Sequence, residues 1–195
     1  MIVLAKRNDI MVDIETLGLN DESTIFQVSA ASFDITTGVI ESEIDLKLNI
    51  SSVDNLFVEG GTLKWWLKTD KDLLAKLISE GDKNELEMFK EFLDWVESLK
   101  KNKDYGSPTL WGNGISFDNV KIKNKMNSLG LTYPISFKKE RDVRTILDLA
   151  SLKSNKSERE IQKEIQNDYE IAHNAIDDVR RQVRLVHHCF NLLNS

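Results

Sequence analysis

Asp13 and Glu15 stand two residues apart in IMVDIETLGL, Ile10 to Leu19, where Ile10, Val12 and Ile14 alternate with them. In a strand, positions i and i+2 share a face and lie roughly 6.5 to 7 Å apart along the chain. Two like charges on one buried face repel and resist desolvation, so a fold keeps them only where something compensates. A divalent cation suits a pair of hard carboxylate oxygens. Asp118, in WGNGISFDNV, sits in the first turn of a helix just after a strand, and alone it reads as a carboxylate facing the helix's positive end. His173 and Asp178 lie five apart in AHNAIDDVRR. On one continuous helix they would not share a face. With His173 in a loop and the helix opening near Asn174, both reach a common point in front of the first turn. Alone, His173 reads as surface or core packing, and Asp177 offers the same carboxylate beside Asp178.

The elements that must position these residues follow from periodicity. Asn8 to Glu15 predicts a first strand, Ser23 to Ile35 a second, and Thr36 to Gly38 a tight turn into a third over Val39 to Leu48. Short connections make the three antiparallel. A helix capped by Thr62 carries Leu63, Trp66, Leu67, Leu73, Leu74 and Leu77, and a second runs from Asn84 to Lys100 with Leu86, Phe89, Leu93 and Val96 as its stripe. PTLWGNG predicts a short strand, Ser116 to Leu129 a helix, and RDVRTILDLA a strand leading into a short helix. Ile176, Val179, Val183, Val186, Phe190 and Leu193 mark an amphipathic terminal helix. A meander followed by alternating helices and strands predicts an α/β fold with a mixed sheet and helices on its faces. Prolines occur only at 108 and 134 and no linker or repeat interrupts the pattern, so residues 1–195 read as one domain.

A net charge of -6 excludes a protein that coats polyanions through a broad basic face. It leaves open the grip of one strand end by metal ions and a local basic rim. The basic runs Lys100 to Lys103, Lys121 to Lys125, Lys138 to Arg144 and Arg180 to Arg184 each read as a solvated face. The single cysteine, Cys189, cannot form an intrachain disulfide and sits among apolar residues at helical spacing, as buried filler in a reducing cytoplasm. The apolar stretch ahead of Lys6 and Arg7 is too short for a signal core, and no run approaches membrane-spanning length, so a cytoplasmic protein is expected.

In this order, VDIETLG, GISFDN and HNAIDD resemble the three motifs of the DEDDh branch of the DnaQ-like 3′-to-5′ exonucleases, from residue 10 to about 190. The TLKWWLK and RDVRT segments are similar to the phage exonuclease A and exoribonuclease-like group within that branch. The resemblance implies a ribonuclease H-like fold, three antiparallel strands followed by parallel ones with helices on both faces. It implies that Asp13, Glu15, Asp118 and Asp178 bind two Mg²⁺ or Mn²⁺ ions for an in-line phosphoryl displacement. The family's spacing favours Asp178 over Asp177. His173 is then the general base, a role suited to an imidazole that is mostly neutral above pH 7. By the same resemblance, the backbone at Thr16 meets the terminal 3′ hydroxyl, and Leu17 either wedges against the last base or packs among apolar neighbours; Asn113 and Arg141 either line the cleft or lie on the polar surface. Trp66 continues the Leu63 and Leu67 stripe, so of the two Trp65 is the candidate to stack a base, with plain packing as its alternative. The expected activity is metal-dependent release of nucleoside 5′-monophosphates from single-stranded 3′ ends, DNA ahead of RNA or short oligoribonucleotides. A silent 3′-end-binding module is expected to have lost a ligand or the histidine, and all five residues are present. A hydrolase of small phosphate esters would leave the stacking residues without a task. The apolar terminal helix serves either a homodimer interface or the chain's own core.

Overall fold

Alternation along β1 (Asp9–Thr16) decides the architecture. In a computed structural model that describes residues 7–100, 108–167 and 170–195, Ile10, Val12 and Ile14 point to one side of this strand. Asp9, Met11, Asp13 and Glu15 take the opposite side, which holds the second core. β2 (Ile25–Phe33) pairs antiparallel with β1, Asp13 opposite Ser29 and Glu15 opposite Gln27, and every residue of β2 is buried. β3 (Ile40–Lys47) adds antiparallel at the edge, while β4 (Thr109–Gly112) and β5 (Glu140–Asp142) add parallel on the other side of β1. The order β3-β2-β1-β4-β5 makes β1 the centre of the sheet, where backbone groups are paired on both edges.

Helices cover both faces, as the ribonuclease H-like reading requires. On the Ile10 side lie α1 (Gly60–Thr69), α2 (Lys71–Ser79), α3 (Glu85–Lys100) and α4 (Asp118–Ser128), which supply Trp66, Leu74, Phe89, Phe92 and Ile122 to one core. On the Met11 side lie α5 (Val143–Ser154), α6 (Glu158–Glu164) and α7 (Ala175–Asn194), which supply Leu147, Ile161, Val179, Val183 and Val186 to the other. Cys189 is buried in this second core. No helix among the described residues is long and apolar enough to cross a membrane.

Several boundaries differ from expectation for local reasons. The helix expected with Thr62 as its cap begins three residues earlier, at Gly60 with Glu59 in the cap position, and is two helices rather than one. Asp70, with φ -156°, leaves the helical region and its Oδ1 accepts the Leu73 N–H at 2.8 Å, which ends α1 and caps α2. Trp66 is the one buried residue of α1, so Leu63 and Leu67 form no stripe with it. In α3 the buried face is Met88, Phe89, Phe92 and Val96, rotated from the expected one, and Leu86 is 48% exposed. α6 was not expected; its signal is the capping box in which Ser157 and Glu160 satisfy each other's backbone N–H. The run Arg180 to Arg184 is not a solvated face, because Arg180, Arg181 and Arg184 pair with Glu43, Asp178 and Glu170 respectively. The expectations for the stretch ahead of Lys6 and for Lys101 to Lys103 fall outside the described residues.

Candidate active site

Three parts of the chain bring carboxylates to the end of β1. Donor oxygens of Asp13, Glu15 and Asp178 all lie within 4.8 Å of one another. Asp178 stands in the first turn of α7, which crosses the sheet face that carries Asp13 and Glu15. Asp118, the first residue of α4, is buried and stands outside that trio, close enough to repel Asp13 and Glu15. The electrostatics follow. Burial, then repulsion from Asp13, Asp178 and Asp118, pushes the Glu15 carboxyl up to about 10. Burial, then Asp118 and Asp178, holds Asp13 well above the carboxylate range, against the opposing pull of Gln182 and Arg181. Burial raises Asp118 to about 7, with Arg144 opposing it, and burial raises Asp178, with Arg181 opposing.

Asp9 shows what a compensated carboxylate on the same strand face looks like. It is fully buried, but Arg7 donates to both of its oxygens at 2.7 and 2.8 Å and the Trp111 Nε1–H donates at 2.8 Å. Asp13 receives one hydrogen bond, from the Gln182 side chain at 2.8 Å. The Arg181 guanidinium lies 2.7 Å from Asp178 Oδ1, off hydrogen-bonding alignment. An all-oxygen donor set whose negative charge the chain only partly meets fits hard divalent cations.

The loop before α7 is fixed by backbone contacts. His173 lies outside the helix at φ 66°, a left-handed conformation, and its N–H donates to Asp178 Oδ2 at 3.1 Å. Strain of this kind at a non-glycine residue persists where the surroundings over-determine it. The imidazole packs edge-on to Trp65 and Trp66, with centroids 4.8 and 6.3 Å away. Asp177 turns elsewhere, accepting from the Asn174 side chain at 3.0 Å and pairing with Arg180 at 3.2 Å. Gln27, across from Glu15, donates to Asp45 at 2.8 Å and to Asn174 at 3.0 Å and accepts the Ala175 N–H at 3.3 Å. It ties the start of α7 to the sheet. Gln182, Arg181 and Gln27 were not anticipated; Gln182 carries a sequence signal, since four residues after Asp178 is one turn along the same helix face.

Two cavities flank the carboxylates. A slot of about 480 Å³ is lined by Glu15, Thr16, Leu19, Trp65, Trp66 and Phe117 among others. Trp65 is 43% exposed there, whereas Trp66 is 1% exposed and donates its Nε1–H to the Thr16 carbonyl at 3.3 Å. Leu17 does not reach the slot. It is 4% exposed and packed in the core, and the exposed leucine of this loop is Leu19, at 70%. The loop folds tightly because a side chain at Gly18 would meet Ser23 Oγ at 2.3 Å, and Glu59 then accepts the Leu19 N–H at 2.8 Å. Lys121, buried, places its ammonium 4.9 Å from the Phe117 ring and donates to the Asn20 carbonyl, tying two walls of the slot together. The second cavity, about 690 Å³, lies between α5, α6 and α7 and includes Asn113, Arg144, Arg181 and Gln182. Arg141, expected in the cleft, instead donates to the carbonyls of Lys138 and Glu140.

Comparison with known proteins agrees with this geometry. Residues 8–190 match the Rv2179c-like family, described as a 3′-5′ exoribonuclease domain. The chain is 21% identical over 202 residues to an exodeoxyribonuclease of Enterobacteria phage T4, covering 91% of this chain and 87% of the relative. Its fold is similar to the nuclease domain of 3′hExo, a DEDDh family member solved bound to rAMP, with TM-score 0.66 and 14% identity over 95% of this chain and 92% of that one. It is also similar to an ExoI–ssDNA complex of E. coli in its zinc-bound form, with TM-score 0.67 and 16% identity over 97% of this chain and 42% of that one.

Proposed function

The chain belongs to the Rv2179c-like family, within the DEDDh 3′-5′ exonucleases, and we propose that it releases nucleoside 5′-monophosphates from the 3′ ends of single-stranded nucleic acid. The observation that carries this reading is the buried carboxylate group of Asp13, Glu15 and Asp178, with Asp118 beside it, whose charge the chain itself only partly offsets. Mg²⁺ or Mn²⁺ ions held by these four residues would supply charge stabilisation at the attacking and leaving oxygens of an in-line phosphoryl displacement. The remaining steps belong to the chain's own residues. The slot takes the terminal nucleoside, with Trp65 stacking the base and Leu19 against it, a contact that accepts any base. Thr16 presents its backbone to the 3′ hydroxyl. His173 accepts the proton of the attacking water as the new P–O bond forms. The bond from phosphorus to the upstream 3′ oxygen breaks, and that oxygen takes up a proton as the monophosphate leaves.

DNA is the first substrate to test, because the phage relative is named an exodeoxyribonuclease. RNA is the second reading, favoured by the description of the family. The test incubates 5′-labelled DNA and RNA of one sequence with Mg²⁺, Mn²⁺ or EDTA, beside Asp13→Ala. A ladder that shortens from the 3′ end and needs both metal and Asp13 is expected, and the faster ladder identifies the sugar. Intact strands under every condition would overturn the proposal and favour a silent 3′-end-binding module.

A further inference from the structure

The 690 Å³ cavity has the opposite chemistry to the nucleoside slot, and the activity described so far leaves it unused. Its wall carries Arg144, Arg159, Lys163 and Arg181 against Glu158 and Glu170. Glu170 is already taken by Arg184, which donates to both of its oxygens, and Arg181 is taken by Asp178. Arg144, Arg159 and Lys163 have no ion-pair partner among the described residues. Arg159 and Lys163 stand four apart on α6 and so share one face of it.

The cavity also abuts the carboxylates. Gln182 in its wall donates to Asp13, Arg181 lies against Asp178, and Arg144 acts on Asp118. The apolar slot reaches the same carboxylates from the α1 side through Glu15 and Thr16. The reacting centre therefore lies between an apolar space sized for one nucleoside and a space with three cations outside any ion pair among the described residues. A strand whose last base fills the slot continues past the carboxylates, and what its upstream nucleotides share in every sequence is their phosphates and sugars. On a chain of net charge -6, a local group of cations also sets where a polyanion can lie.

We propose that the cavity between α5, α6 and α7 is the subsite for the phosphodiester backbone on the 5′ side of the scissile bond, with Arg144, Arg159 and Lys163 contacting its phosphates. The subsite rests on the exonuclease reading for the direction of the strand. It makes recognition there independent of sequence, because phosphate contacts position a strand and do not read it.

The double variant Arg159→Gln with Lys163→Gln tests this on two substrates. One is a ten-nucleotide strand, and the other is the p-nitrophenyl ester of thymidine 5′-monophosphate, which has no upstream phosphate. The expected result is a loss of at least about tenfold in kcat/KM on the strand, carried by KM, that shrinks to less than about twofold on the ester. Equilibrium binding of the strand to non-cleaving Asp13→Asn gives an independent readout. Each phosphate contact on a single strand contributes about 0.7 to the slope of log Kd against log salt, so losing two lowers the slope by about 1.4. An unchanged slope with unchanged kcat/KM on the strand overturns the subsite, as does an equal loss on strand and ester. If the unaltered protein cleaves neither substrate, the exonuclease reading fails, and the salt slope still decides the subsite.

Discussion

Replacing Glu15 by Gln should stabilise the metal-free protein at alkaline pH, and the size of the effect follows from the site. The Glu15 carboxyl is pushed from 4.5 up to about 10 in the folded chain. Between pH 6 and 8 the unfolded chain therefore has this group ionised while the folded chain keeps its proton. The folded state binds one more proton, so stability falls as pH rises, by about 1.4 kcal/mol per pH unit. Across two units that is about 3 kcal/mol, or roughly 6 to 12 °C in Tm for a domain of this size. Gln keeps the shape and cannot titrate. Thermal unfolding followed by circular dichroism in EDTA at pH 6, 7 and 8 should show the unaltered protein losing that much more Tm than Glu15→Gln. Saturating Mn²⁺ should raise the Tm of the unaltered protein, and more at pH 8 than at pH 6, since binding to ionised carboxylates displaces protons. Parallel Tm curves for the two proteins in EDTA would refute the reasoning, because Glu15 would then be compensated by something other than a retained proton.

His173→Ala should lower kcat by about 10² to 10⁴ while Mn²⁺ binding measured by calorimetry stays within about twofold; an equal loss of metal binding would place the histidine in the ligand set. Asp178→Asn should abolish detectable cleavage, whereas Asp177→Asn, which loses the charge facing Arg180 and keeps one acceptor oxygen, should cost about 1 kcal/mol in stability and keep activity within about threefold. The reverse order in a gel assay would move the ligand to Asp177. Gln27→Ala removes three hydrogen bonds worth about 1 kcal/mol each and should lower both Tm, by roughly 6 to 12 °C, and kcat, since it unties the start of α7; a Tm within about 2 °C of the unaltered protein would show the tie to be dispensable.

What the sequence made legible was the part whose signal is local. The alternation of Ile10, Val12 and Ile14 marks β1, and the apolar period from Ile176 marks α7, because side-chain direction repeats within each element. The order of the three short acidic motifs pointed to one site before any contact was known. Contacts made across elements were not legible. Gln182 meets Asp13 across 169 residues, and Gln27 meets Asn174 across 147, pairings that no local period encodes. The exchange of Leu17 for Leu19 has a related cause. Glu59, forty residues on, accepts the Leu19 N–H and helps fold the loop so that the second leucine faces out. The break at Asp70 was missed for the opposite reason, since an apolar stripe that continues on both sides hides a cap that works through one side-chain oxygen.

Asp9, Asp13 and Glu15 occupy alternate positions on one face of one strand, and their differing fates argue why the site is where it is. At Asp9 the sheet supplies a bidentate arginine and an indole N–H, so the charge is met and the position is structural. Four residues on, the same face meets α7 with an amide and one arginine at the edge, and two residues later it opens into the apolar slot. Covering Asp13 and Glu15 with the machinery that serves Asp9 would stabilise the metal-free fold and obstruct the approach from the slot to the carboxylates. The strand thus passes from self-satisfied to unsatisfied within six residues, and the unsatisfied end is the one flanked by a space for a base and a space for a phosphate backbone. Adding a cation beside Asp13, for example by Gln182→Lys, should therefore raise the Tm measured in EDTA and lower both Mn²⁺ affinity and turnover. A variant that gained stability while keeping its metal would mean that the unmet charge at the end of β1 is not what holds the ions.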